Sequence, residues 1–152
     1  MSIVFSDPNV VSVGSLWSEL DKDTTVVGEV RFGPMGRAVI TGRNRGLLRI
    51  YAERASGRIL GAAMVGAHCE HLAHLLAWAV EKDMTVTEAL RMPYYHPVFE
   101  EAIQDALYEL DHQLHGREAL FGQLDRAMQP VVAMEAPTEN KSWYPSTLIT
   151  QQ

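Results

Sequence analysis

The chain has 152 residues, of which 47% are hydrophobic and 21% charged; a disordered or low-complexity protein is excluded, because this much apolar material fills a core. Thirteen Lys+Arg against nineteen Asp+Glu leave a formal charge of −6, which argues against non-specific nucleic-acid binding. No apolar run approaches the ~20 residues that span a bilayer. The first residues lack a basic segment followed by an apolar one, so no secretory signal is expected. One cysteine, Cys69, rules out a disulfide framework and fits a reducing, cytoplasmic setting.

In chain order, Asp7-Pro8-Asn9 is a turn signal, and Val10 to Gly14 reads as a strand. Ser15 is an expected N-cap for a short helical stretch through Trp17 and Leu20. Thr24 to Val27 and Val30 to Phe32 form a second β-rich run, closed by Gly33-Pro34. Gly36 to Gly42, bounded by glycines, carries no assignable period. In Leu48 to Glu53, residues Leu48, Ile50 and Ala52 take one face while Arg49, Tyr51 and Glu53 take the other. Ser56-Gly57 turns the chain, and Ile59 to Val65 returns, with Gly61, Ala62 and Ala63 small enough for another segment to approach closely.

Beyond Gly66 the period becomes helical. Leu72, Leu75, Leu76, Ala79 and Val80 lie on one stripe. Thr85 to Glu88 resembles a capping box opening a short helix to about Arg91, before Pro93. The last strong helix is expected to open at Pro97 as its first residue, with Glu100 and Glu101 in its positive first turn. Its apolar stripe is Phe99, Ile103, Ala106, Leu107, Leu110 and Leu114. The layout predicts an α+β fold, an antiparallel sheet packed against helices. Gly116 interrupts the pattern. Glu118 to Met128 forms at most one further helix, and an irregular tail follows from Gln129, with Trp143, Tyr144, Leu148 and Ile149 available to lie over a neighbour.

Two histidine groups invite chemistry. In His68-Cys69-Glu70-His71-Leu72-Ala73-His74, helical spacing puts His71 and His74 on one face, and Cys69 or His68 offers a third ligand. A metal-binding protein is therefore one alternative, against solvated polar residues on an exposed helix. In His96-Pro97-Val98-Phe99-Glu100-Glu101, a histidine on a loop at a helix mouth can have one ring nitrogen held by Glu101. The other then faces a reactant, as suits a base working near neutral pH. A plain capped helix start accounts for the same residues without chemistry.

The order of three segments resembles the C-terminal interface domain of the pyridine nucleotide–disulfide oxidoreductases, with dihydrolipoamide dehydrogenase and its relatives nearest. Phe5 to Gly14 is similar to that domain's opening, Gly57 to Gly66 to its central hairpin strand, and His96 to Glu101 to its His-Pro-Thr-x-x-Glu motif. The resemblance covers about residues 3 to 114. Val98 stands where the motif has threonine, and Tyr94-Tyr95 precede the histidine where smaller residues are usual. The resemblance implies a dimerisation domain over residues 1–115, followed by an extension over 116–152. It implies that His96 is the acid–base residue toward a dithiol substrate and that Glu101 orients it. It also implies that the backbone at His96 and Pro97 approaches the partner subunit's FAD and that their peptide bond is cis. By the same resemblance, the complete enzyme is expected to use FAD and NAD(P). This chain has neither a Gly-x-Gly-x-x-Gly loop nor a cysteine pair. No cofactor is therefore expected on it alone, nor turnover without the FAD- and NAD-binding domains. A purely structural dimerisation module is the remaining alternative.

Overall fold

The computed structural model describes the backbone of residues 1–127 and side chains through residue 116. Five antiparallel strands form one sheet in the order β1-β2-β5-β4-β3: β1 (Ser2–Val4), β2 (Asn9–Gly14), β3 (Thr25–Arg31), β4 (Leu47–Glu53) and β5 (Ile59–Gly66). Strands β4 and β5 are the expected hairpin. Their pleat puts Leu48, Ile50 and Ala52 into the core, as the alternation predicts. Tyr51, on the opposite face, is also buried, because Trp17 of a single 3-10 turn (Trp17–Glu19) packs against it, the rings tilted by 32° with centroids 5.3 Å apart. That turn is capped from Leu16 rather than from Ser15. Glu19 reaches back to the Leu16 N–H at 2.9 Å, and the Ser15 N–H is spent on the Leu60 carbonyl.

The helices are α1 (Gly36–Ile40), α2 (Cys69–Glu81), α3 (Val86–Leu90) and α4 (Glu101–Ala127). Register aligns Val13, Ala62, Ile50 and Gly28 in one row across the sheet, and α2 and α4 cover this face. Helix α2 lies over β2 and β5, and α4 over β3 and β4. Phe32, Leu48, Ile50, Leu72, Leu76, Leu107 and Leu110 are fully buried between them. The backbones of Val13 and Ser15 lie against Gly61, the close approach that the small residues of β5 permit.

Two sequence expectations are corrected. The unassigned Gly36 to Gly42 segment contains α1, which is held by burying Met35 and Ala38. Helix α4 opens at Glu101 rather than at Pro97. Residues 97–100 form a loop instead, because Val98 and Phe99 are drawn into the core, Phe99 against Phe32. The backbone of α4 leaves helical geometry at Gly116 (φ 72°) and resumes to Ala127. The tail expected from Gln129, with Trp143, Tyr144, Leu148 and Ile149, lies outside the described residues. No helix among the described residues is long and apolar enough to cross a membrane.

Candidate active-site contribution at His96

The loop between α3 and α4 is irregular because Pro93 and Pro97 each remove a backbone donor and bias the preceding residue away from helix. It is nonetheless anchored at both ends. Tyr94 tucks under α3, its hydroxyl reaching the Ala89 carbonyl at 3.4 Å, and burial pushes that phenol up to about 12. Phe99 is wedged between Phe32 and the His68 ring, whose centroid is 4.7 Å away. Between the anchors, the His96–Pro97 peptide is cis and the His96 side chain is 75% exposed.

Glu101 grips this loop with both oxygens. Its Oε1 accepts the His96 Nδ1–H at 2.6 Å, and its Oε2 accepts the Val98 N–H at 3.0 Å. The tautomer follows: an ionised carboxylate only accepts, so Nδ1 carries the proton. His96 Nε2 has no hydrogen-bond partner among the described residues. Sequence alone put Glu100 and Glu101 together at the helix start. Glu101, the carboxylate expected to hold the ring, is the one that touches the imidazole, while the Glu100 carbonyl accepts backbone N–H groups of α4. The Val98 amide was not foreseen as part of the clamp; its signal was the spacing that makes Val98 and Glu101 an i, i+3 pair at a helix mouth.

Electrostatics reinforce the clamp. Partial burial pushes the Glu101 carboxyl up, but the His96 and Val98 hydrogen bonds and the His96 charge outweigh it and hold it below its ordinary 4.5. Asp105, one turn further along α4, is pushed up by burial and by the Glu101 charge. The depressed Glu101 contributes stability that is present well above pH 4.5 and is lost as pH falls through its lower folded value. Glu101→Gln is expected to cost up to about 1 kcal/mol near neutral pH. Urea unfolding of both proteins should show that difference closing as the carboxyl protonates; a gap unchanged down to pH 3, roughly one unit below the ordinary carboxylate value, would contradict the clamp.

The other histidine group is arranged differently from expectation. His68, Glu70 and His71 bring ligand atoms within 4.8 Å of one another, and His74 is not among them. His68 lies outside α2 with a left-handed backbone (φ 60°), so its ring stands beside His71 rather than following the helical spacing. Cys69 is fully buried and is not part of that group, and burial followed by the Glu70 charge pushes its thiol up to about 12, which argues against a reactive thiolate.

A family model described as "Pyridine nucleotide-disulphide oxidoreductase, dimerisation domain" matches residues 1–107. The chain belongs to this dimerisation-domain family. Among curated relatives of this family, dihydrolipoyl dehydrogenase from Haloferax volcanii is 34% identical over 105 residues, 68% of this chain and 22% of the relative. The enzyme of the same name from Halobacterium salinarum is 32% identical over 115 residues, 74% of this chain and 24% of that protein. The chain thus spans about a quarter of the length of the curated relatives it matches. Two solved structures share the fold: LpdA from Mycobacterium tuberculosis (TM-score 0.67, 23% identity, 72% of this chain and 24% of that one) and the flavoprotein disulfide reductase RclA from Escherichia coli, solved as a Cu(II) complex (TM-score 0.66, 17%, 71% and 25%). The antiparallel sheet with helices on one face is the α+β architecture expected for this dimerisation-domain family.

Proposed function

We propose that this domain pairs two subunits of a dihydrolipoamide dehydrogenase-like disulfide oxidoreductase and supplies His96, oriented by Glu101, to the redox site of the partner subunit. The observation that carries the reading is the exposed imidazole with Nδ1 engaged and Nε2 open. Such a ring, fixed from behind and unused in front, fits a reactant presented from outside the domain. Its task is proton movement. Nε2 accepts the proton of a dithiol S–H, and the resulting thiolate is the species that attacks a disulfide. The Glu101 carboxylate then stabilises the imidazolium that forms.

Flavin, when bound in the complete enzyme, supplies two-electron redox chemistry, with NAD(P) as the final carrier. With one cysteine and no Gly-x-Gly-x-x-Gly loop, the residues of this chain suit a contribution to a flavin site rather than a flavin cradle, so the isolated chain is expected to turn nothing over. We assign the approach to the partner's flavin to the His96–Pro97 backbone. We assign residues 1–115 to the dimerisation domain and 116–152 to an extension of it.

Mixed dimers test the reading. One subunit carries His96→Gln and the other lacks the redox cysteines of the flavin-binding part. Each parent dimer is expected to be nearly inactive, while the mixed dimer regains dithiol oxidation through one intact composite site. Mixed dimers as inactive as both parents would show that His96 does not act across the subunit boundary.

A further inference from the structure

We infer that His68, Glu70 and His71 form a binding site for a divalent transition metal of the zinc class, in the cleft that the loop of the His96 clamp also lines. Two imidazoles and one carboxylate are a borderline-soft N/O donor set that suits such an ion. Their ligand atoms already lie within 4.8 Å of one another. Bonds of about 2.0–2.2 Å place donors on a tetrahedral ion about 3.3 Å apart, so closure needs only ångström-scale side-chain rotation. Both imidazoles are exposed.

The three residues are not a chance run of polar side chains on a helix. The left-handed backbone of His68, uncommon outside glycine, turns its ring until it lies 6.1 Å from that of His71 at an interplanar angle of 24°. Phe99 supports the outer ring at 4.7 Å. Glu70 is held from behind: Asn9 Nδ2 donates to its Oε2 at 2.8 Å, while its Oε1 faces His71 Nε2 at 3.7 Å. An amide that fixes a ligating carboxylate is the kind of outer contact that metal sites use to set ligand orientation. His68 and His71 line one wall of an open cleft of about 450 Å³, with Tyr95, Pro97, Val98 and Phe99 on another, which leaves room for water or a small ligand at the remaining coordination positions. Arg37 and Glu100 line the same cleft with opposite charges, so it is the open three-ligand donor set that places the affinity below that of a closed four-ligand structural site.

Titration of the full chain with Zn(II) against a chromophoric chelator decides the matter, with circular dichroism confirming that each variant is folded. One Zn(II) per chain is expected. Asn9→Ala should weaken binding about tenfold, by freeing Glu70. His71→Ala and Glu70→Gln should weaken it more, and His74→Ala should leave it unchanged. Failure of the unsubstituted chain to take Zn(II) from the chelator overturns the site. So does a loss on His74→Ala equal to that on His71→Ala, which would mark ordinary surface histidine binding.

Discussion

Under the proposed function, replacing His96 with glutamine in an enzyme built with this domain is expected to lower dithiol oxidation by about 10²–10⁴-fold, the range for losing a positioned general base. Flavin content should be unchanged. The imidazole is 75% exposed, and its one hydrogen bond among the described residues is to Glu101, so its removal leaves the Phe99 anchor and the core untouched. Glutamine keeps polarity and approximate reach but cannot accept a proton near neutral pH. Glu101→Gln should produce a smaller loss, because the imidazole remains while its tautomer is no longer fixed. Stopped-flow reduction by a dithiol separates this step from later ones. Unaltered reduction by His96→Gln would leave the domain a purely structural pairing module.

The parts of the fold legible in sequence are those whose physical cause is local. Alternation in Leu48 to Glu53 needs only the pleat, and Ser56-Gly57 sets the turn that brings β5 back against it. Thr85 and Glu88 satisfy each other reciprocally: Thr85 Oγ1 accepts the Glu88 N–H at 3.2 Å, and Glu88 Oε2 accepts the Thr85 N–H at 2.8 Å. Elements that owe their shape to distant partners were not legible. Strand β1 is three residues at a sheet edge, too short to show a period, and exists by pairing with Val10 to Ser12. Pro97 satisfies every local preference for a first helical residue. The loop it occupies is decided by Phe32 and His68, which receive Phe99 from elsewhere in the chain. The same limit explains the histidines. Helical spacing pairs His71 with His74, which is not in the cluster, whereas His68 reaches His71 through one left-handed residue that no periodicity encodes.

The residue least conspicuous in sequence and most exposed to a structural test is Gly28. It occupies the β3 position in the row with Ile50 and Ala62, and α4 crosses directly above it. A Cβ built there collides with the carbonyl of Ala106 and with the Leu110 side chain, both on α4. Leucine can change rotamer, but a helical carbonyl moves only with its helix. Gly28→Ala should therefore cost about 1–3 kcal/mol, the usual range for overpacking, and lower the urea midpoint with little change in slope. The intrinsic preference runs the other way, since alanine suits a strand interior better than glycine by roughly 0.5–1 kcal/mol. The sign of the measured change thus separates the collision from the propensity. Because α4 begins at Glu101, displacement of the helix must also reach the His96 clamp. The Nδ1–carboxylate hydrogen bond, followed by the downfield resonance of its proton, should weaken in Gly28→Ala although the substitution lies in the sheet. A stabilised protein with that resonance unmoved would mean that α4 does not rest on β3 as closely as the contact at Ala106 requires.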